Sequence, residues 1–317
     1  MTSEYLRQAL FGFAMGDAFG VPYEFKQRDS YDVVESMIGF QSHNQVPGTW
    51  SDDTSLSLAT INALFEPYDT TAVMHNFVLY LNNAAFTSAD KMFDIGIGTR
   101  NAIETYQKTQ QLQAFGEHDE QNNGNGALMR IWPVAFYAIP ASMTLEQVSD
   151  ELTGLTHGHI RAKLASRFLI YFLRMMPRVR SIDKALRMAI QRINRTPMET
   201  QQLMDQDFKW LALSETQSVS DIINNIKHWS RSDVPSSGYV VDTLKAVLWV
   251  LMQTSSFKDA IMLAAGLGED TDTIAGLVGL NAIFAYNEFP NEWLSTLVNK
   301  EALERELLLA EESGHFN

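Results

Sequence analysis

The chain contains no cysteine. That excludes disulfides, thiolate metal ligands and a cysteine nucleophile, so a bound metal would have to be held by oxygen or imidazole. It also suits a reducing, cytoplasmic setting. Basic residues are scarce: 24 Lys and Arg stand against 38 Asp and Glu, a net charge of -14. Such a balance repels a nucleic-acid backbone unless the cations share one face. Ten of the 24 do fall between Arg161 and Arg195, opposed there only by Asp183. Leu164, Phe168, Leu169, Tyr171 and Phe172 are interleaved with them, which predicts one or two amphipathic helices with a solvated basic face rather than a nucleic-acid partner. Long apolar runs are missing as well. The longest, 246–252, is far too short to span a bilayer, so a soluble protein without a membrane partner is expected. The first residues place Glu4 where a leader would carry a base, and their apolar run breaks at Gly16-Asp17, so no secretion signal is expected.

Sustained period-two alternation is almost absent. Apolar residues recur instead at helical spacing, as in Leu58, Ile61 and Phe65, in Leu244, Val247, Leu248 and Leu251, and in Ile274, Leu277, Leu280 and Phe284. Prolines and Asn-Gly clusters lie between these segments, at Pro47-Gly48 and across 122–126, and no low-complexity linker divides the chain. At 317 residues and 45% hydrophobic, this predicts one all-helical domain over residues 1–317, with the polar stretch 201–237 as its surface elaboration.

Two helix starts are crowded with oxygen donors. Ser51-Asp52-Asp53-Thr54 follows Trp50 and leads into Leu56 and Leu58. An N-cap and a favourable helix dipole explain one carboxylate there, but adjacent aspartates repel one another and a cation would relieve them. Glu269-Asp270-Thr271-Asp272-Thr273 places three carboxylates in four residues, more than capping requires. In the helix that follows, Gly276 and Gly279 each cost ~1 kcal/mol relative to alanine, tolerable where another backbone or a ligand approaches closely. With no cysteine and no HExxH pattern, the donors point to Mg²⁺ or Mn²⁺. Asp53 or Asp272 could bridge two such ions roughly 3.5–4 Å apart, orienting a sugar hydroxyl or activating water.

Other segments read either way from composition. Residues 12–25 combine glycines with Asp17 and Glu24: a helix end and turn with Asp17 bonding local backbone groups, or a pocket with Glu24 as acid or base. The Asn123–Arg130 segment is a plain turn before a helix, or a loop presenting backbone N–H groups to a phosphate. Asp94 in 93–96 is a cap or surface residue or part of a site. His157 is a structural histidine or a ligand contact.

Taken in order, residues 16–25 (GDAFGVPYEF), 48–59 (GTWSDDTSLSLA), 93–96 (FDIG), 125–135 (NGALMRIWPVA), 156–157 (TH), 237–249 (SGYVVDTLKAVLW) and 268–279 (GEDTDTIAGLVG) resemble the ADP-ribosylglycohydrolase family, which includes the dinitrogenase reductase-activating glycohydrolases. The resemblance covers nearly the whole chain. It implies a compact single-domain all-α fold, an orthogonal helical bundle, with two divalent ions, Mg²⁺ or Mn²⁺, at the bottom of an ADP-ribose cleft. The metal ligands it implies are Ser51, Asp52, Asp53, Asp270, Asp272 and Thr273. Ser51 stands where threonine is common, and a serine hydroxyl coordinates equally well; Glu269 stands where glycine or another small residue is frequent. Glu24 or Asp94 is the implied catalytic carboxylate. Asn125, Gly126, His157, Gly238 and Tyr239 would line the ADP-ribose site.

The implied activity is hydrolysis of the glycosidic bond at the distal ribose of an ADP-ribosylated protein or small-molecule conjugate by a monomeric enzyme. A metal-dependent phosphohydrolase acting on a nucleotide-like substrate, or a catalytically silent ADP-ribose-binding relative, would use the same residues differently.

Overall fold

The computed structural model describes residues 2–316, and these form fifteen α-helices and no strand. Four long elements and a short one build the first half: α1 (Thr2–Gly20), α2 (Asp52–Ala63), α3 (Thr70–Asn83), α4 (Ile97–Thr109) and α5 (Leu128–Ile131). Then come α6 (Leu145–Gly154), α7 (Ile160–Val179), α8 (Ile182–Ile193), α9 (Pro197–Asp205) and α10 (Val219–His228). The chain closes with α11 (Val240–Gln253), α12 (Phe257–Ala265), α13 (Thr271–Tyr286), α14 (Asn291–Thr296) and α15 (Lys300–Ser313). No described helix is long and apolar enough to cross a membrane.

Helix α13 lies at the centre. Every residue from Thr271 to Phe284 is buried, so it has no polar face to turn outward. Helix α2 is nearly as enclosed, with Asp52 through Ile61 buried without interruption. The two aspartate-rich starts are therefore the first turns of two long, almost wholly buried helices, and their carboxylates are buried in the core.

Glycine sets how α1 meets α13. Gly12, Gly16 and Gly20 recur every four residues and so share one face of α1. A Cβ at Gly16 would fall 2.1 Å from the Ala275 carbonyl oxygen, and one at Gly20 would fall 2.4 Å from the Asp272 Cα. On α13, a Cβ at Gly279 would sit 2.1 Å from the Gly12 carbonyl oxygen. The pairs 12 with 279, 16 with 275 and 20 with 272 run in opposite directions, so the helices are antiparallel with backbones in direct contact. The helix end and turn that residues 12–25 allowed fall after Gly20: α1 continues through Gly16 and Asp17, because these glycines serve close approach rather than a turn. Gly276 faces the Phe13 ring in the same seam.

Asp17, fully buried on α1, bonds backbone groups as expected, but distant rather than local ones. Its carboxylate accepts from the Ser51 N–H at 3.0 Å, the Thr54 N–H at 3.0 Å and the Thr54 hydroxyl at 2.6 Å. Burial raises its pKa to about 6, with the Thr54 and Ser51 bonds working against that rise. One side chain thus ties the start of α2 to α1, while α1 holds the start of α13.

The basic stretch forms two amphipathic helices, α7 and α8. Half of its ten cations are ion-paired: Arg161 with Glu120, Lys163 with Glu117, Arg167 with Asp150, Arg187 with Asp183 and Arg192 with Glu146. Most of those acids come from elsewhere in the chain. The 201–237 stretch carries the end of α9 and all of α10 and packs Phe208, Leu211, Ile222 and Ile226 inward.

The glycine seam makes a test. Gly16→Ala gains ~1 kcal/mol of helix propensity, but its methyl meets backbone that cannot rotate away, and overpacking costs about 1–3 kcal/mol or more. The clash wins, so a lower midpoint in thermal unfolding is expected. Gly154→Ala, whose Cβ would meet Ala114 at an ordinary 3.7 Å, should be neutral or slightly stabilising in the same assay.

Candidate active site

The starts of α2 and α13 open onto one cleft of about 970 Å³. Asp52, Asp53, Asp270, Asp272 and Thr273 line it, together with Glu24 and Asp94. Glu24 follows the turn after α1, and Asp94 precedes α4. No lysine or arginine is among the lining residues.

Asp53 joins the two clusters. Its carboxylate accepts from the Ser51 hydroxyl at 3.1 Å and from the Thr273 hydroxyl at 3.0 Å, across 220 residues of sequence. Ser51 also caps α2, accepting the Asp53 N–H at 3.2 Å, so it acts both as cap and as prop for the aspartate. Asp52 accepts the Gly96 N–H at 3.3 Å, which ties the α4 entry to the same wall. At the second start, Asp270 occupies the N-cap position of α13 without capping it. Its carboxylate is bonded instead by the Asn125 side-chain amide, whose other contact is the Thr243 hydroxyl at 2.9 Å.

These carboxylates are crowded and largely buried. Burial, then the neighbouring carboxylates, hold Asp52, Asp53 and Asp272 well above the ordinary aspartate range. Asp270 rises to about 6, burial again leading, with the Asn125 bond opposing it. Glu24 is pushed up further by burial and by Asp272 and Asp94. Oxygens of Glu24, Asp270 and Asp272 all lie within 4.8 Å of one another. An oxygen-only, anionic, buried donor set with mutually repelling members fits a hard divalent cation.

His43 was not anticipated. Its Nε2 bonds the Glu24 carboxylate, and its ring lies 5.4 Å from Phe25 and 5.3 Å from Phe93. Glu24, His43 and Asp94 again bring ligand atoms within 4.8 Å of one another. The loop from 26 to 50 carries no periodicity, so nothing in the sequence marked this histidine. Nearby, Phe25 and Glu269 hold each other across the cleft mouth: the Phe25 N–H bonds the Glu269 carbonyl at 2.7 Å, and the Glu269 N–H bonds the Lys26 carbonyl at 2.9 Å. Glu269 adopts φ +63°, the left-handed region, which suits the small residue common at that position in the resembling family.

The opposite wall is built from two loops. The Asn125 N–H bonds the Gly238 carbonyl at 2.9 Å and the Val240 N–H bonds the Asn123 carbonyl at 3.0 Å. The Asn125 N–H is therefore engaged within the protein rather than offered to a phosphate. Gly126 and Gly238 line the cleft, as does His157. Tyr239 stands apart from the lining, its phenol bonded to Asp207 at 3.1 Å. A second cavity of about 860 Å³ lies between α1, α13 and α15, floored by Phe11, Ile283 and Leu294; at its rim Arg7 and Glu304 neutralise one another.

Against known proteins, the ADP-ribosylglycohydrolase family model matches residues 2–315. The chain is 30% identical to the ADP-ribosylarginine hydrolase Tri1 of Serratia proteamaculans (strain 568), over 93% of this chain and 75% of that protein. It is 27% identical to the ADP-ribosyl-[dinitrogen reductase] glycohydrolase of Rhodospirillum rubrum, over 94% of this chain and 91% of that one. A solved ADP-ribosylglycohydrolase-related protein complex superposes with a TM-score of 0.74 at 25% identity, covering 98% of both chains. An all-helical fold built around two buried aspartate-rich helix starts, matched along almost its full length, makes this chain a member of the ADP-ribosylglycohydrolase family, whose members remove ADP-ribose from a target by hydrolysis.

Proposed function

We propose that the chain cleaves the glycosidic bond at the distal ribose of an ADP-ribosylated side chain, acting as a monomer with two divalent ions, Mg²⁺ or Mn²⁺. The observation that carries this is the cleft itself: Glu24, Asp52, Asp53, Asp94, Asp270 and Asp272 converge there with no lysine or arginine among the lining residues. An anionic diphosphate ligand would be repelled from such a wall without cations. Ser51, Asp52, Asp53, Asp270, Asp272 and Thr273 would hold the ions. When bound, they supply positive charge that fixes the ribose hydroxyls and offsets the charge of protein and ligand.

The chain's own groups then have separate tasks. Asn125 orients Asp270, the Ser51 and Thr273 hydroxyls orient Asp53, and Asp17 holds the α2 start in place. Glu24 and Asp94, which line the same cleft, would align a water with the anomeric carbon for attack through an oxocarbenium-like transition state. Glu24 is the better placed for proton transfer: burial and neighbouring carboxylates strengthen its hold on a proton, and His43 fixes its orientation. The leaving group is arginine, on the pattern of the relatives named for ADP-ribosylarginine, and an acid-lined mouth favours a guanidinium.

Asp272→Ala is expected to stay folded by circular dichroism and to release no ADP-ribose from an ADP-ribosylarginine conjugate in Mg²⁺ or Mn²⁺, read by mass spectrometry. Full activity would remove the metal assignment, whereas AMP and ribose phosphate as products would favour phosphohydrolase chemistry. Glu24→Gln should lower kcat by roughly 10²–10⁴, the usual range for a positioned acid or base, and by more than Asp94→Asn does. The reverse order would transfer the role to Asp94.

A further inference from the structure

Arg130 is a fully buried cation with no carboxylate paired to it. It is 0% exposed, and its Nε and Nη1 have no hydrogen-bond partner. Its remaining nitrogen, Nη2, donates to the Leu152 carbonyl at 3.1 Å and to the Thr156 hydroxyl oxygen at 2.7 Å, and the guanidinium lies 4.6 Å from the centre of the Phe77 ring. On the far side of Thr156, the same hydroxyl is 2.8 Å from Nδ1 of His157.

The direction of these bonds follows from what each group can do. Arginine can only donate, so Thr156 Oγ1 accepts from it. The one proton of that hydroxyl then needs an acceptor, and the buried Thr156 side chain has a single candidate, His157 Nδ1. An Nδ1–H tautomer would turn two donors on the hydroxyl and leave its proton buried without a partner. An imidazolium would incur the same loss and add a second cation facing Arg130. The imidazole proton must therefore sit on Nε2. That nitrogen faces the cleft between glycines: a Cβ at Gly98 would come within 3.0 Å of it, one at Gly126 within 3.4 Å and one at Gly124 within 3.5 Å.

We propose that Arg130, Thr156 and His157 form a fixed relay that locks His157 as a neutral imidazole with its proton on Nε2, presented to the cleft as a hydrogen-bond donor for an anionic oxygen of the bound diphosphate. Arg130 and Thr156 are positioning residues. The choice of diphosphate rests on the functional reading above; the tautomer does not. Burial, and then Arg130, lower the His157 pKa to about 3, which agrees with the neutral form. Arg130 is itself lowered only to about 9 by burial, so it keeps its charge near neutral pH. In a cleft lined by carboxylates and no cation, a donor that stays neutral gives the ligand a contact independent of pH, and the buried guanidinium behind it adds positive potential.

The test is nitrogen-15 NMR of the histidine rings in the full chain, with ADP-ribose affinity measured by calorimetry in the presence of Mg²⁺. His157 should show the Nε2–H tautomer without titrating between pH 5 and pH 8. A ring that titrates near its ordinary pKa of about 6.5, or that carries its proton on Nδ1, overturns the relay. Thr156→Val should release the tautomer and weaken ADP-ribose binding about tenfold, as expected for a lost bond to a charged group, while Thr156→Ser restores both. Unchanged affinity in a folded Thr156→Val protein refutes the donor role. If the tautomer is as stated but the unaltered protein binds no ADP-ribose, the functional reading fails and the relay stands.

Discussion

Mutual repulsion among buried aspartates is the constraint around which this molecule is arranged. Charges normally stay at the surface, because moving a lone carboxylate out of water is costly. Here Asp52, Asp53, Asp270 and Asp272 open two long, almost wholly buried helices, so the fold forces them together. Hydroxyl and amide donors from Ser51, Thr273 and Asn125 offset part of that energy and fix the directions in which the oxygens point. What remains uncompensated is negative charge facing a cleft, and a divalent cation would complete it.

The scaffold explains how such a site is held still. Helices α1 and α13 meet backbone to backbone, with Gly12, Gly16 and Gly20 removing the side chains that would separate them. Asp17, on the same helix, reaches across to the start of α2. A displacement of α1 by even a methyl group would therefore move both aspartate clusters, as well as Glu24 at the end of the following turn. Structural packing and chemistry share these residues, which ties the cost of disturbing the seam to the geometry of the site.

Much of this was legible in the sequence, for reasons that can be stated. Helical period and acidic first turns are local signals, so α2, α11 and α13 and the two aspartate-rich starts could be read directly. Glycine is ambiguous: the same residue marks a turn or a close contact, and at Gly16 only the presence of α13 decides between them. His43 lies in a loop without pattern, and its pairing with Glu24 is purely tertiary. Arg130 looks like any helix-surface cation until burial is known, and its relay depends on Thr156 being brought beneath it. Tyr239, read as a cleft residue with Gly238, turns its ring to Asp207 instead, since adjacent residues at a helix start point in different directions.

The central claim, that the carboxylate cluster is strained by its own charge and satisfied by cations, is tested most directly by thermal unfolding of the wild type and Asp53→Asn with and without Mg²⁺. Because burial and neighbours raise the aspartate pKa values in the fold, the cation-free protein binds more protons folded than unfolded, and its stability should fall as pH rises from about 4 through 6 and beyond. Mg²⁺ should therefore raise the wild-type midpoint, and by more at pH 7.5 than at pH 5. Asp53→Asn should unfold at a higher temperature than the wild type without cations, and gain little from Mg²⁺. A wild type indifferent to Mg²⁺, or an Asp53→Asn protein that keeps the full cation-induced rise, would contradict the account.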